Sequence, residues 1–253
     1  MSFFLKFRNI FINCCVSSFL FALASYGENF QLPIIIDQLH QEEGIYYDMK
    51  GGERFSGEIK NYYKNNKIKH KGFLKSGKFH GQWTHFEETG QIRLIENFKD
   101  GKKQGEWIKY HINGVQWKLG NYYNNKKNGL WKIYSIDGIL LEKGNFLFDQ
   151  KNGLWEKFHE SGKILVQESY KDNLKHGNFK FFYPDGTLGN LENWKNGKED
   201  GVWKMFYPNG NIRKEGVFIN GKKTGLWRTF SQSGQLYLTE IWDHGFLLKT
   251  EEP

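Results

Sequence analysis

A repeat of 24 residues runs through most of the chain and limits its possible folds more than any other feature. Steps of 24 residues from Gly57 reach a glycine each time up to Gly225, which gives eight units without insertion or deletion. We number the positions of a unit from this glycine, which is position 0. Repeats of this kind are typical of arrays in which each unit packs on its neighbours.

Bulky apolar side chains and turn residues recur at fixed positions. The residues at position 2 are Ile59, Trp83, Trp107, Trp131, Trp155, Phe179, Trp203 and Trp227. Those at position 5 are Tyr62, Phe86, Tyr110, Tyr134, Phe158, Phe182, Phe206 and Phe230. Turn dipeptides such as Asp100-Gly101 and Asn196-Gly197 close the units. Because Asp-Gly and Asn-Gly tolerate positive φ, each unit is expected to be two strands joined by tight turns.

The predicted fold is all-β: an elongated, single-sheet antiparallel meander (a β-hairpin solenoid) of about eight 24-residue repeats. In the unit that begins at Gly105, we expect strands over 106–111 and 116–123. No stretch has apolar residues at helical spacing long enough to compete. Eight units of two strands each, with neighbouring strands about 4.8 Å apart, would form a sheet on the order of 75 Å long. A globular barrel is the alternative.

The spacing of the aromatic residues predicts a binding surface. Trp83 and Phe86 are three residues apart, so a regular strand places them on opposite faces. Either a bulge realigns them or both faces carry an aromatic row, and an open row is a candidate site for a protein partner. Curvature that buries both rows is the alternative. The candidate partner-binding residues are Trp83, Trp107, Trp131, Trp155, Trp203, Trp227, Phe86, Tyr110 and Tyr134.

The N-terminal segment predicts export. A basic start precedes an uncharged, mostly apolar run that ends at Ala22-Leu23-Ala24, as in a signal peptide. We expect cleavage after Ala24 and a periplasmic, envelope or extracellular location, with an uncleaved anchor as the alternative. Cys14 and Cys15 fall in this segment, so the exported chain would have neither disulfides nor thiol chemistry. The predicted divisions are a signal peptide (1–24), a lead-in segment (25–43), the repeat array (44–248) and a tail (249–253).

Residues that could carry chemistry form no recognisable site. The stretch from Gly216 to Lys222 resembles part of a phosphate-binding loop, but Lys223 stands where Ser or Thr would hold magnesium. His111 and His159 share a position in the repeat, yet two units, about 19 Å, separate them. We therefore expect no enzyme, no cofactor and no metal site. Glutamates that recur at strand positions are expected on exposed faces: Glu58, Glu106, Glu142, Glu168, Glu192 and Glu240.

Lysines recur where one unit turns into the next, in a chain of net charge +8. Stacked units would display them as a ridge that attracts anionic lipid headgroups, acidic glycans or an acidic protein. Solvated lysines that keep the turns soluble are the alternative. Nucleic acid is not an expected partner, given the export signal and the modest charge. The candidate ridge consists of Lys102, Lys103, Lys126, Lys127, Lys151, Lys175, Lys198, Lys222 and Lys223.

The repeat resembles the MORN repeat, and more closely the bacterial variant found in YwqK-family antitoxin proteins. The resemblance rests on the Gly-x-Trp-x-x-Tyr/Phe core and on the Asn-Gly-Lys-Lys-x-Gly close, and the segment from Gly197 to Gly210 is a clear instance. It covers roughly residues 44–248. It implies a β-hairpin array used for protein or membrane contacts, without catalysis of its own.

These observations together predict an exported, non-catalytic repeat scaffold that binds an unidentified protein through an aromatic-lined sheet face. Peripheral binding to anionic lipid through the lysine ridge is the alternative. Neutralisation of a toxin, as by an antitoxin or immunity protein, is a special case of protein binding. The oligomeric state does not follow from the sequence.

Overall fold

The computed structural model describes residues 34–49 and 51–252. The predicted signal peptide, both cysteines and residues 25–33 of the lead-in segment lie outside the described residues. The strands are β1 (Ile34–Ile35), β2 (Leu39–Glu42), β3 (Ile45–Asp48), β4 (Gly57–Tyr62), β5 (Ile68–Lys75), β6 (Lys78–Phe86), β7 (Ile92–Lys99), β8 (Lys102–Tyr110), β9 (Gln116–Tyr123), β10 (Lys126–Lys127), β11 (Gly129–Tyr134), β12 (Leu140–Leu147), β13 (Gln150–Phe158), β14 (Ile164–Lys171), β15 (Leu174–Phe182), β16 (Leu188–Lys195), β17 (Lys198–Phe206), β18 (Ile212–Ile219), β19 (Lys222–Phe230), β20 (Leu236–Asp243) and β21 (Phe246–Glu251). A 3-10 helix spans Ile36–Gln38. No helix within these two ranges is long and apolar enough to cross a membrane.

One open sheet contains 19 of these strands, and β2 and β3 form a separate hairpin. From β4 to β9 and from β11 to β21, each strand pairs antiparallel with the next in chain order. Strand β9 pairs with both β10 and β11, and β1 joins β4 in parallel. Over the described ranges these pairings run in one line and do not close. The predicted meander is confirmed, and the barrel alternative is wrong.

Tight turns with positive φ join the strands, as predicted. At the turn between units, φ is 51° at Asp100 and 82° at Gly101, which is the pattern of a type I′ turn. One such turn is absent from the sequence prediction: Phe148 and Asp149 have φ values of 49° and 71°. The N–H of Asp149 donates to the carbonyl of Lys127 at 2.9 Å, as the equivalent residues do in other units. The repeat therefore imposes the turn on a residue that disfavours it.

The two aromatic rows lie on opposite faces of the sheet. A β-bulge does occur between positions 4 and 5 of the first strand, but its extra residue, Arg93 in the second unit, lies on the returning strand. The ring centroids of Trp83 and His70 are 6.1 Å apart, whereas the ring centroid of Phe86 lies 5.8 Å from the ammonium group of Lys71. Because His70 and Lys71 are neighbours in β5, they point to opposite sides. We call the side with position 2 the tryptophan face and the side with positions 1 and 5 the opposite face.

The lead-in segment caps the first unit. Leu39 and Phe55 pack with Ile59, Leu74 and Trp83 in one buried cluster. Ile59 at position 2 and Leu74 at position 17 are fully buried. Position 17 is aromatic in every later unit, from Phe98 to Trp242, and the cover over the first unit explains why aliphatic residues stand at these two positions. Terminal units of repeat arrays commonly change in this way, because they must be covered rather than stacked.

Candidate interaction surfaces

The residue at position 15 decides how deeply the next tryptophan is buried. It lies on the strand before the tryptophan, directly beside position 2 of the next unit; Gly144, for example, pairs with Trp155. The residues at position 15 are Gly72, Glu96, Gly120, Gly144, Glu168, Glu192, Gly216 and Glu240. The tryptophans that follow a glycine are 1–6 % exposed: Trp83, Trp131, Trp155 and Trp227. The residues that follow a glutamate are half-buried: Trp107, Phe179 and Trp203.

Glycine allows the indole ring to lie flat on the neighbouring strand. A Cβ atom added to Gly144 would stand 2.5 Å from Cγ of Trp155, and the equivalent glycines are similarly close to their tryptophans. The indole Nε1 of Trp155 donates to the carbonyl of Asn145 at 3.1 Å, and that of Trp131 donates to Asn121 at 3.3 Å. These buried tryptophans therefore hold neighbouring units together and offer little surface to a partner.

In two units, glutamate at position 15 pairs with the lysine at position 22 of the same unit. Glu96 and Glu168 are buried, and their carboxylates lie 2.7 Å from Lys103 and 3.4 Å from Lys175, respectively. The expectation of exposure is thus wrong for Glu168, and Glu142, Glu192 and Glu240 are half-buried. Tyr170 donates to Glu168 at 3.0 Å, and burial together with this hydrogen bond raises the pKa of Tyr170 to about 12.

Lysines at position 22 lie over aromatic rings of the tryptophan face. The ammonium group of Lys151 is 4.0 Å from the centroid of Trp155 and 5.0 Å from that of Tyr170. Lys223 stands 4.5 Å from both Trp227 and Trp242, and burial lowers its pKa. Cation–π contacts of this kind contribute roughly 0.5–2 kcal/mol each. The lysines in this arrangement are Lys103, Lys127, Lys151, Lys175 and Lys223.

The lysines of the candidate ridge therefore divide between the two faces. Those at position 21 are exposed on the opposite face: Lys102, Lys126, Lys198 and Lys222. Other lysines, absent from the sequence prediction, stand directly across from residues at position 21. The facing pairs are Lys75–Lys78, Lys99–Lys102 and Lys195–Lys198. Like charges placed in this way repel each other, so these turns are local concentrations of positive charge.

The opposite face also carries aliphatic side chains that the sequence prediction missed. Leu130, Leu154, Val202 and Leu226 at position 1, with Val217 paired to Val202, are 37–49 % exposed. We call these five residues the aliphatic strip. Position 5 lies on the same face, and the candidate residues Phe86, Tyr110 and Tyr134 at that position are half-buried. An aliphatic residue directly before the tryptophan was the signal for the strip in the sequence, because strand alternation points it away from the buried row.

Groups that bind metals are separated from one another in the described ranges. No three His, Cys, Asp or Glu side chains there are close enough to hold a metal ion. One carboxylate–imidazole contact on the tryptophan face joins His85 to Glu96 at 3.1 Å. Burial would raise the pKa of Glu96, but hydrogen bonds from His85 and Lys103 outweigh it and lower that pKa. This contact is thus part of the charge pairing that stabilises the sheet.

The comparisons with known proteins agree with this repeat structure. The family model described as a MORN repeat variant matches residues 79–100, 151–172, 175–196 and 199–220. Each matched segment begins at position 22 and spans one hairpin: β6–β7, β13–β14, β15–β16 or β17–β18. No curated protein matches the chain. Four hairpins of the array are therefore similar to the MORN repeat variant.

Proposed function

We propose that this chain is a non-catalytic repeat scaffold that binds a protein partner across the faces of its sheet. The aliphatic strip carries this proposal, because aliphatic side chains in rows on a water-facing surface are typical of interaction sites. Strip residues of adjacent units, such as Leu130 and Leu154, lie two strands or about 10 Å apart. A partner with apolar groups at a similar spacing would contact several units at once.

Half-exposed aromatic side chains add anchors on the other side of the sheet. Trp107 and Trp203 are the two tryptophans of position 2 that glutamate leaves partly uncovered. Large aromatic residues of this kind dominate the free energy of many protein interfaces. Trp83, Trp131, Trp155 and Trp227 serve the proposed function indirectly, through the stability of the sheet.

Capture of the partner with matched variants tests the proposal. The test variant replaces Leu130, Leu154 and Leu226 by threonine, which keeps strand propensity and removes exposed apolar surface. The control variant makes the same change at position 1 of three other units, where polar residues already stand: Gln82→Thr, Glu106→Thr and Asn178→Thr. After crosslinking in the native cell, we expect one protein to be recovered with the wild-type and control chains and to fall about tenfold with the strip variant. Equal recovery by both variants would contradict the proposal.

Binding to an anionic membrane surface is the second candidate, and the exposed lysines of position 21 favour it. Facing pairs such as Lys99–Lys102 concentrate charge at turns of the opposite face. Flotation with vesicles that contain anionic lipid, compared with neutral vesicles, measures this directly. On this candidate, flotation disappears at raised salt and when glutamine replaces Lys102, Lys126, Lys198 and Lys222. Flotation that is equal with neutral vesicles would exclude it.

We further propose export of the chain and, following the resemblance to YwqK-family antitoxin proteins, a toxin as one class of partner. Export is supported by the apolar run before Ala24. Sequencing the N-terminus of the protein from fractionated cells tests it. A first residue of Ser25 in the envelope or medium is the expected result, whereas an intact N-terminus in the cytosol would contradict export.

A further inference from the structure

In five of the eight units, the lysine at position 22 has the same surroundings. We call these surroundings the lysine seat. The seat consists of the residue at position 15 of the same unit, which is glutamate or glycine, and of the aromatic rings at positions 2 and 17 of the next unit. The seat of Lys175 has all of these parts. The ammonium nitrogen of Lys175 lies 3.4 Å from a carboxylate oxygen of Glu168, and it lies 4.8 Å and 4.6 Å from the ring centroids of Phe179 and Trp194, respectively. The other seated lysines are Lys103, Lys127, Lys151 and Lys223.

The unit that begins at Gly177 has the seat but not the lysine. One repeat after the seat of Lys175, the equivalent residues are Glu192, Trp203 and Phe218, and position 22 is Glu199. Backbone geometry is retained at this point: Gly221 donates to the carbonyl of Glu199 at 2.7 Å, as Gly197 does to Lys175 at 2.8 Å. The exchange of lysine for glutamate therefore changes the charge of the seat and keeps its frame.

The two carboxylates of this seat form no ion pair with a cation of the described residues. Glu192 accepts hydrogen bonds from the indole Nε1 of Trp194 at 2.8 Å and from the side-chain amide of Asn190 at 2.7 Å. In the preceding unit the matching carboxylate, Glu168, receives the hydroxyl group of Tyr170 and also the ammonium group of Lys175. Burial and the nearby Glu192 raise the pKa of Glu199, and they outweigh the attraction of Lys175, which acts in the opposite direction.

We infer that Glu192, Glu199, Trp203 and Phe218 form a binding site for an alkylammonium group, the side chain of a lysine on a protein partner. Five seats of the same chain hold a lysine ammonium group over an aromatic ring. In the two seats that have glutamate at position 15 and a lysine at position 22, the carboxylate also pairs with that lysine. Glu192, Glu199 and Trp203 are half-buried, so an external side chain can reach them. Identification of the ligand as part of a protein rests on the proposed function.

A matched pair of peptides tests the site. The probe is acetyl-Gly-Lys-Gly-amide, and the control peptide carries norleucine, which has the same aliphatic stem without the ammonium group. Titrations of the full chain are followed by the NMR signal of the Trp203 indole N–H, assigned with the Trp203→Phe variant. We expect saturable shifts with the lysine peptide, with a dissociation constant on the order of 10 mM, and none with the norleucine peptide.

Two exchanges of charge make the test specific. Glu199→Lys restores the residue of the other units, fills the seat from within and should weaken peptide binding at least about tenfold. Lys175→Glu empties the preceding seat and should create a second site, reported by the Trp194 indole signal. Absence of saturable shifts in the wild-type chain, or unchanged binding by Glu199→Lys, would overturn the inference.

The same measurements separate this inference from the proposed function. If the peptide fails to bind while the strip variant still loses its captured protein, the lysine site is wrong and the scaffold function stands. If the peptide binds wild type and not Glu199→Lys while no protein depends on the aliphatic strip, the ammonium site stands and the proposed function is wrong.

Discussion

Replacement of Gly144 by alanine places one methyl group beneath the indole ring of Trp155. The added Cβ would lie 2.5 Å from Cγ of Trp155 and closer still to Cδ2 and Cε2. The φ angle of Gly144 is outside the left-handed region, so the backbone itself accepts alanine. The variant therefore isolates the contact between the two residues. The indole ring must move away from the strand, and its hydrogen bond to Asn145 is lost.

The expected loss of stability is about 2 kcal/mol, the net of three effects. Overpacking a well-packed site costs about 1–3 kcal/mol, and loss of the indole hydrogen bond adds roughly 1 kcal/mol. The change from glycine to alanine returns about 0.5–1 kcal/mol through the entropy of the unfolded chain. A net change of this size raises the local opening equilibrium about 30-fold.

Native-state hydrogen exchange of the β12 and β13 amides is the appropriate assay, because repeat arrays need not unfold in one step. The Trp155→Ala background supplies the control, since there the added methyl group at Gly144 meets no ring. A double-mutant cycle should give a coupling free energy of about 3 kcal/mol between the two positions, because the entropy gain of alanine occurs in both backgrounds and only the overpacking and the lost hydrogen bond require Trp155. Equal effects of Gly144→Ala in both backgrounds would refute the account of glycine at position 15.

Three further predictions concern single residues. Phe148 has a φ of 49° in a turn where five of the other units use asparagine or aspartate. Phe148→Asn should therefore raise the free energy of unfolding by about 1 kcal/mol, and an unchanged or lower denaturation midpoint would count against it. The folded-state pKa of Glu96 is lowered, so the stability that the Glu96 carboxylate contributes is present above the unfolded pKa of 4.5 and is lost as the pH falls through the folded pKa. Glu96→Gln should therefore flatten the loss of stability with falling pH, measured as the midpoint of urea unfolding. An unchanged slope would contradict this. The pKa of Tyr170 is raised from 10.0 to about 12, so the stability that its protonated hydroxyl group contributes is present below pH 10.0 and is lost as the pH rises through about 12. In an ultraviolet titration, the Tyr170→Phe variant should lack one tyrosine that ionises late. Loss of a tyrosine that ionises near pH 10.0 instead would disagree.

The hairpins were predictable because local chemistry and repeat spacing agree. Turn residues at the end of each unit set where the chain reverses, and the length of the repeat leaves room for two strands. Phe148-Asp149 escaped prediction because phenylalanine is not a turn former. The hydrogen bond from Asp149 to Lys127 shows that neighbouring units fix that turn, which is information that no short window of sequence contains.

No single position of the repeat predicts which side chains of a face are buried and which are exposed. Burial of Trp155 depends on Gly144, which lies on another strand, and this pair emerges only once the register is known. The lysine row shows the same limit. A single ridge is the expectation from turn positions, but strand alternation sends Lys126 to the opposite face and Lys127 over the ring of Trp131.

Both proposed binding surfaces depend on an open sheet whose faces are uncovered, and small-angle X-ray scattering of the purified chain measures this most directly. A compact domain of this length has a radius of gyration of about 18 Å. A sheet about 75 Å long and about 30 Å wide has a radius of gyration of about 24 Å. For particles with the mass of one chain, we predict the larger of these two values, about 24 Å. The smaller value, about 18 Å, would mean that the sheet folds over on itself and would contradict the central claim.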